Sequence, residues 1–288
     1  MTSTPVAAPR FATYLVPLLR SSPVTPRTLR LTVGGERLRG FRAGRDADER
    51  VKLFFPPRGL LVPALPEFGP DGMRYPDGAV VPHARTYTVR AFDPELLELD
   101  LDFVLHGDGR AAEWAREARP GDLLGIAGPA VGGMPSAAAD VHVIAGDESA
   151  LPAIASILER LPATARAEVF VEVVDAAEEQ PLAIAPGARV CVRWLHRGTG
   201  PWVSPTPLEH AVRELPWPEG VVHAWVAGEA GVVRALRRLL RDERGLPREA
   251  LRATGYWRLG RTVEEWIDEE GIGEEGISEE GDPRAETD

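Results

Sequence analysis

The sequence predicts an antiparallel β-barrel or sandwich followed by an α/β unit built on a parallel sheet. Three observations carry that expectation. Up to about residue 134 the chain holds short β-rich runs separated by Gly and Pro clusters, with no long helical pattern. From about residue 135 it changes to buried strands followed by tight turns and helices. The composition shift at "GPAVGGMPSAAAD" sets the boundary, giving units over 10–134 and 135–262 and a charged extension over 263–288.

In the first unit, "TLRLTV", "RVKLFF", "ARTYTVRAF" and "LLELDLDFVL" read as strands, separated by breakers such as "PPRGLLVPALPEFGPDG". One short helix is expected at "RAAEWAREA", where Ala111, Trp114, Ala115 and Ala118 share a face. In the second unit, "DVHVIAGDESALPAIASILERL" gives a strand, a turn and a helix with Leu151, Ile154, Ala155 and Leu158 at helical spacing. "AEVFVEVVD" and "ARVCVRWL" are further apolar strands, and Cys191, between Val190 and Val192, reads as a core thiol. "VVHAWVAGEAGVVRALRRLLRDERG" repeats the strand–turn–helix unit, with Gly245 placed to stop the helix. Such alternation argues for a parallel sheet covered on both faces.

Over 288 residues, 44% hydrophobic and 27% charged is the balance of a globular chain, not a disordered or fibrous one. No apolar run reaches the roughly 18–20 residues that cross a bilayer, and the N-terminus lacks the charged head and apolar middle of a secretion signal. A single cysteine excludes an internal disulfide and fits a reducing compartment, so cytoplasm is the expected location. The net charge of −11 is concentrated in residues 263–288, where roughly a dozen acids face the single Arg284. That tail is expected to be a solvated extension. The nearly neutral body speaks against nucleic acid as a partner. Lys52 is the only lysine, so it stands out more than any arginine in this arginine-rich chain.

In "HARTYTVRAF", alternation puts Arg85, Tyr87 and Val89 on one face of a strand and Thr86, Thr88 and Arg90 on the other. A flavin dinucleotide asks for a cation at its pyrophosphate, a flat wall for its ring and polar groups near the ring nitrogens. Arginine, tyrosine and threonine supply these. A surface strand with a solvated arginine and a half-buried tyrosine is the plainer alternative. Further on, a helix start near Ala111 and Ala112 offers free amides to a phosphate.

"RTYTVR", "LDFVLHG", "GPA", "AGDESALPAI", "VAGEAGVVRALRRLL" and "GYWRLG" stand in the order and spacing of the siderophore-interacting protein family. The chain resembles these flavin-dependent ferric-siderophore reductases, relatives of the ferredoxin–NADP reductases, over roughly residues 10–262. The resemblance implies an FAD-binding Greek-key barrel followed by a nicotinamide-nucleotide-type α/β domain. It implies FAD contacts from Arg85, Thr86, Tyr87 and Thr88, then Asp102, Phe103, Val104 and His106, then Gly109, Ala111 and Ala112. Arg85 would meet the phosphate, Tyr87 the isoalloxazine and ribityl chain, and Thr88 the ring nitrogens. Two positions depart from the family pattern. Ala112 stands where a serine is usual, and Ala130 where a basic residue often holds the anionic substrate. Lys52 and Arg258 remain as substrate contacts; Lys52 equally suits an edge strand that must resist aggregation.

"AGDESALPAI" resembles the turn that meets the nicotinamide end of the donor, so Asp147 and Ser149 are expected to meet an uncharged part of it, while Asp175 at the end of the second strand and Arg197 after the third are placed to meet its ribose end. Asp175 would favour NADH as donor, and Arg193 with Arg197 would favour NADPH. The implied reaction carries electrons from NADH or NADPH through FAD to Fe(III) in a siderophore, with ferredoxin as an alternative donor. No protein acid, base, nucleophile or metal cluster is required, because the cofactor carries the chemistry. A reductase for another acceptor, or a non-catalytic flavin-binding protein, are the alternative readings.

Overall fold

The computed structural model describes residues 12–69, 72–105, 109–133 and 135–260. His106 and the acidic tail over 263–288 lie outside the described residues. The chain divides into two compact units, 1–134 and 135–288.

The first unit contains β1 (Thr13–Thr25), β2 (Thr28–Gly34), β3 (Arg50–Phe55), β4 (Glu67–Gly69), β5 (Gly72–Arg74), β6 (His83–Thr88), β7 (Ala91–Asp93), β8 (Glu98–Val104), helix α1 (Arg110–Glu117) and β9 (Leu123–Ala130). Seven of the strands form one antiparallel sheet in the order β6-β3-β9-β1-β2-β8-β7, and β4 pairs with β5 as a separate hairpin. The two ends of the large sheet are consecutive chain, with only Val89 and Arg90 between them. The Val89 amide donates to the Glu49 carbonyl at 2.8 Å and the Arg90 amide to the Asp100 carbonyl at 3.0 Å. One segment thus pairs first with the β3 side and then with β8. This joins the two ends of the sheet into the expected barrel.

Alternation fills the interior. Val16, Leu31, Val33, Val51, Leu53, Phe55, Leu99, Leu101 and Phe103 are all buried in one cluster. Each such side chain contributes roughly 1.5–3 kcal/mol by leaving water. Phe41 packs edge-on against Tyr14 at 5.5 Å and Phe92 at 5.0 Å, and Phe55 against Trp114 of α1 at 5.5 Å. Strand β1 is one that the sequence hides, because Pro17 and Pro23 look like breakers. Pro17 falls where β1 leaves β9 for β2, and Pro23 borders an irregularity in the β1–β2 register. Neither proline interrupts a regular ladder.

The second unit contains β10 (Val141–Asp147), α2 (Leu151–Leu158), β11 (Arg166–Val173), β12 (Arg189–His196), α3 (Pro207–Glu214), β13 (Val222–Glu229), α4 (Ala230–Arg238) and β14 (Leu251–Trp257). The strands make a five-stranded parallel sheet in the order β12-β11-β10-β13-β14. Helices α3 and α4 share a core with Val141, Val143, Ala145, Ala224 and Val226 on one face. Helix α4 runs on through a turn of π-helix to Glu243, and Gly245 at φ +70° ends it as expected. Helix α3 is announced by Thr206, Pro207 and Glu209. The Thr206 hydroxyl accepts from the Glu209 amide at 3.3 Å, and the Glu209 carboxylate accepts from the Thr206 amide at 2.6 Å.

Two expectations are corrected here. Cys191 is exposed, not a core thiol. It lies on edge strand β12, where Arg189, Cys191 and Arg193 alternate outward. The β11–β12 connection brings only a short 3₁₀ turn, so the sheet is not fully covered there. Lys52, by contrast, is not on an edge, because β3 pairs with both β6 and β9.

Candidate functional site

In the barrel, register sets the faces. Arg85 and Tyr87 stand opposite Leu53 and Val51, on the face that carries the core, while Thr86 stands opposite Lys52 on the outer face. Tyr87 is half-buried and lies against Phe103 with ring centroids 4.3 Å apart and planes 32° apart. Burial pushes its hydroxyl well above the usual tyrosine range, opposed by the Arg85 charge. Arg85 is half-buried and its Nη1 donates to the Ala84 carbonyl at 2.7 Å. Thr86 is exposed. Thr88 and Val89 are both buried, because β6 ends at Thr88 and alternation ends with it.

Phe103 is fully buried behind Tyr87, and Val104 is half-buried at the end of β8. Asp102, on the outer face, receives Nε and Nη2 of Arg30 at 2.6 and 2.8 Å. Its carboxylate is spent on a bidentate pair that ties β2 to β8. At the start of α1, the N-cap residue Gly109 makes no side-chain cap bond, so among the described residues no cap side chain bonds the first amides of the helix, those of Ala111 and Ala112 included. Arg110, a candidate to replace the missing serine, is instead held by Glu113 at 3.0 Å and by the Pro56 carbonyl at 2.7 Å. Arg58 and Arg110 hold the Glu113 carboxyl below its usual range. A half-buried aromatic wall, an arginine two residues before it and a helix start with a glycine at its N-cap fit the ring and pyrophosphate of a flavin dinucleotide.

In the second unit the expected residues gather at the carboxyl ends of the parallel strands, where open α/β sheets bind ligands. Asp147 is 3% exposed, and its carboxylate accepts from the Ser149 amide at 2.9 Å and also from the Ser149 hydroxyl. It accepts further from the Glu229 amide and from Trp257 Nε1, both at 2.8 Å. Burial and the neighbouring Glu148 push it up to about 6, against the lowering effect of these donors. Arg197 makes a two-pronged pair with Glu148, one contact at 2.6 Å, and lies 4.5 Å above the Trp202 ring. Trp202 meets Trp257 edge-on at 5.1 Å. Arg193 pairs with Glu168 at 3.2 Å, and Asp175 accepts from the Ala177 amide at 2.9 Å as the cap of a short turn.

Asp147, Ser149, Asp175 and Arg197 therefore build this edge from within. Glu148, Trp202, Glu229 and Trp257 share it, and the sequence reading named none of them as a contact. Only Glu229 carried a signal, as an acid directly before a helix. Glu172 is 1% exposed, with one oxygen accepting from the Leu208 amide at 2.8 Å; burial raises its carboxyl. Arg258 follows β14 directly and is half-buried.

A closed barrel carrying this tyrosine wall, followed by a parallel α/β unit, defines a flavin-binding class of protein. More particularly, residues 18–133 match the siderophore-interacting FAD-binding domain and residues 139–260 match the siderophore-interacting protein domain. The chain belongs to the siderophore-interacting protein family. It is 36% identical over 258 residues to the ferric vibriobactin reductase ViuB of Vibrio cholerae, covering 88% of this chain and 93% of ViuB. It is 32% identical over 244 residues to the NADPH-dependent ferric-chelate reductase of Escherichia coli K12, covering 83% and 91%. The crystal structure of a siderophore utilization protein from T. fusca superposes with a TM-score of 0.76 at 38% identity, covering 88% and 95%. Among the described residues no helix is long and apolar enough to cross a membrane.

Proposed function

We propose that this protein is an FAD-dependent oxidoreductase that draws electrons from a nicotinamide dinucleotide and reduces ferric iron held in a siderophore. The observation that carries this reading is Tyr87, packed against Phe103 on the barrel wall, with Arg85 two residues before it on the same face. The activities named for the Vibrio cholerae and Escherichia coli relatives support it. When bound, FAD supplies the conversion of a two-electron donor into single-electron delivery to Fe(III).

The chain's own residues bind and orient. Arg85 offers a guanidinium to the pyrophosphate, a charge-assisted contact of roughly 1.5–3 kcal/mol. Tyr87 and Phe103 give the ring a rigid apolar wall. The amides of Ala111 and Ala112, at the start of α1, would hold the phosphates in place of the hydroxyl that Ala112 lacks. Arg258 would supply positive charge to an anionic ferric chelate, and Lys52 on the barrel is a second candidate for that role. Iron leaves because Fe(II) binds hard oxygen donors more weakly than Fe(III). No protein acid or base takes part.

The test is spectroscopic. Purified protein reconstituted with FAD is expected to bleach under NADH or NADPH without oxygen, and to regain its yellow band on adding a ferric siderophore. The Arg85→Ala variant is expected to bind FAD about tenfold or more weakly. A yellow protein indifferent to both nicotinamides and to ferric chelates would make flavin a non-catalytic element here. Bleaching by reduced ferredoxin alone would replace the donor.

A further inference from the structure

The residues on either side of Arg258 are each held by a buried carboxylate. Trp257 donates its Nε1 to Asp147 at 2.8 Å, and the Leu259 amide donates to Glu229 at 3.2 Å. The two carboxylates are themselves linked, since the Glu229 amide donates to the same Asp147 oxygen at 2.8 Å. Glu229 also accepts from the Val232 amide at 2.9 Å, which fixes it to the first turn of α4. Room for Asp147 depends on Gly228, at φ +137°, where an added Cβ would fall 2.4 Å from the Asp147 oxygen.

This bracing lies where the sheet itself holds least. Among the described residues strand β14 pairs with β13 on one side only, and its register with β13 shifts between the Gly228↔Gly255 and Glu229↔Trp257 pairs. Backbone pairing is therefore irregular just before Arg258. Asp147, from the middle strand of the sheet, reaches the indole one residue before Arg258 instead. A charged side chain held on a fixed base loses less freedom on binding its ligand than one on a fraying strand end.

We infer that Asp147, acting through the Trp257 indole, is the positioning residue that sets Arg258 for the ferric chelate. The inference rests on the proposed substrate role of Arg258. It gives Asp147 a role other than contact with the nicotinamide donor, in keeping with a carboxylate whose acceptors are already taken by four donors. It also accounts for the joint presence of "AGDES" and "GYWRLG" in one chain, as the two ends of one hydrogen bond across 110 residues.

The experiment uses the full-length protein with FAD bound and measures affinity for ferric tris(2,3-dihydroxybenzoate), an anionic probe, alongside affinity for NADP⁺. Trp257→Phe keeps the ring and removes the donor; Asp147→Asn removes the charge. Each is expected to weaken chelate binding about five- to tenfold while leaving NADP⁺ affinity and flavin content within about twofold. Placed on Arg258→Ala, either change is expected to cost less than about twofold more, because its target is gone. Full additivity on Arg258→Ala, an equal loss of NADP⁺ affinity, or unchanged chelate binding in Trp257→Phe overturns the inference alone. If Arg258→Ala itself leaves chelate binding unchanged, the substrate role of Arg258 falls and the positioning role falls with it. Should Asp147→Asn fail to fold, Trp257→Phe decides the matter by itself.

Discussion

The barrel and the α/β unit hold their candidate functional residues in opposite ways. In the barrel, Arg85 and Tyr87 stand on a strand paired along its length with β3, and their direction follows from β-alternation and a core of Val51, Leu53 and Phe103 behind them. Their geometry is a consequence of the sheet. In the α/β unit, Asp147, Arg197, Trp257 and Arg258 come after or at the last residues of strands, where ladders stop. There a web of buried carboxylates and indoles takes over. A site on a strand face draws its rigidity from packing, which is non-directional and additive in area. A site at strand ends draws it from a few directional bonds, which respond to protonation.

That contrast can be broken or sharpened by experiment. The largest effect is expected from Phe103→Ala. Removing a fully buried ring costs about 3–5 kcal/mol and takes away the wall behind Tyr87, so denaturant midpoint and flavin affinity should fall together. Loss of stability with flavin affinity intact would separate the site from the packing.

Next comes the pH response of the second unit. Asp147, raised from 3.8 to about 6, favours its protonated form in the fold. Its contribution is complete below about pH 4 and is lost as pH rises through about 6, by up to about 3 kcal/mol. Thermal unfolding of the second unit should therefore weaken across that window as pH rises, and Asp147→Asn should flatten the slope whatever it does to the absolute level. A slope of the same sign and size in Asp147→Asn would place the titration elsewhere.

The smallest effect is expected at Cys191→Ser. An exposed position on edge strand β12 should tolerate the change within about 0.5 kcal/mol by denaturant unfolding. A cost of several kcal/mol would restore the buried thiol.

Much of this molecule was legible in its amino acids. β-alternation marked β2, β3, β6 and β8, helical spacing marked α1, α2 and α4, and a glycine marked the end of α4. The Arg-Thr-Tyr-Thr run suited a flavin or a plain surface strand, and only the family resemblance favoured the flavin. What was missed has particular causes. Strand β1 hid behind two prolines that fall at a change of partner and beside an irregular register. Helix α3 carried a Thr-Pro-Leu-Glu start but sat in a stretch crowded with breakers. Cys191 looked buried because its neighbours are valines, yet burial depends on whether a helix covers that part of the sheet.

The sequence by itself determined the order of the elements it marked, the inward face of the barrel strands among them, and the family, because these depend on patterns a few residues long. Only the tertiary structure decided which groups meet. Arg30 reaches Asp102 across 72 positions, Glu229 reaches Asp147 across 82 and Trp257 across 110. A local pattern can say that a carboxylate sits at a strand end. Whether it faces water, a cofactor or an indole is settled by what the rest of the chain brings beside it, and each buried acceptor is spoken for by the donors that folding delivers.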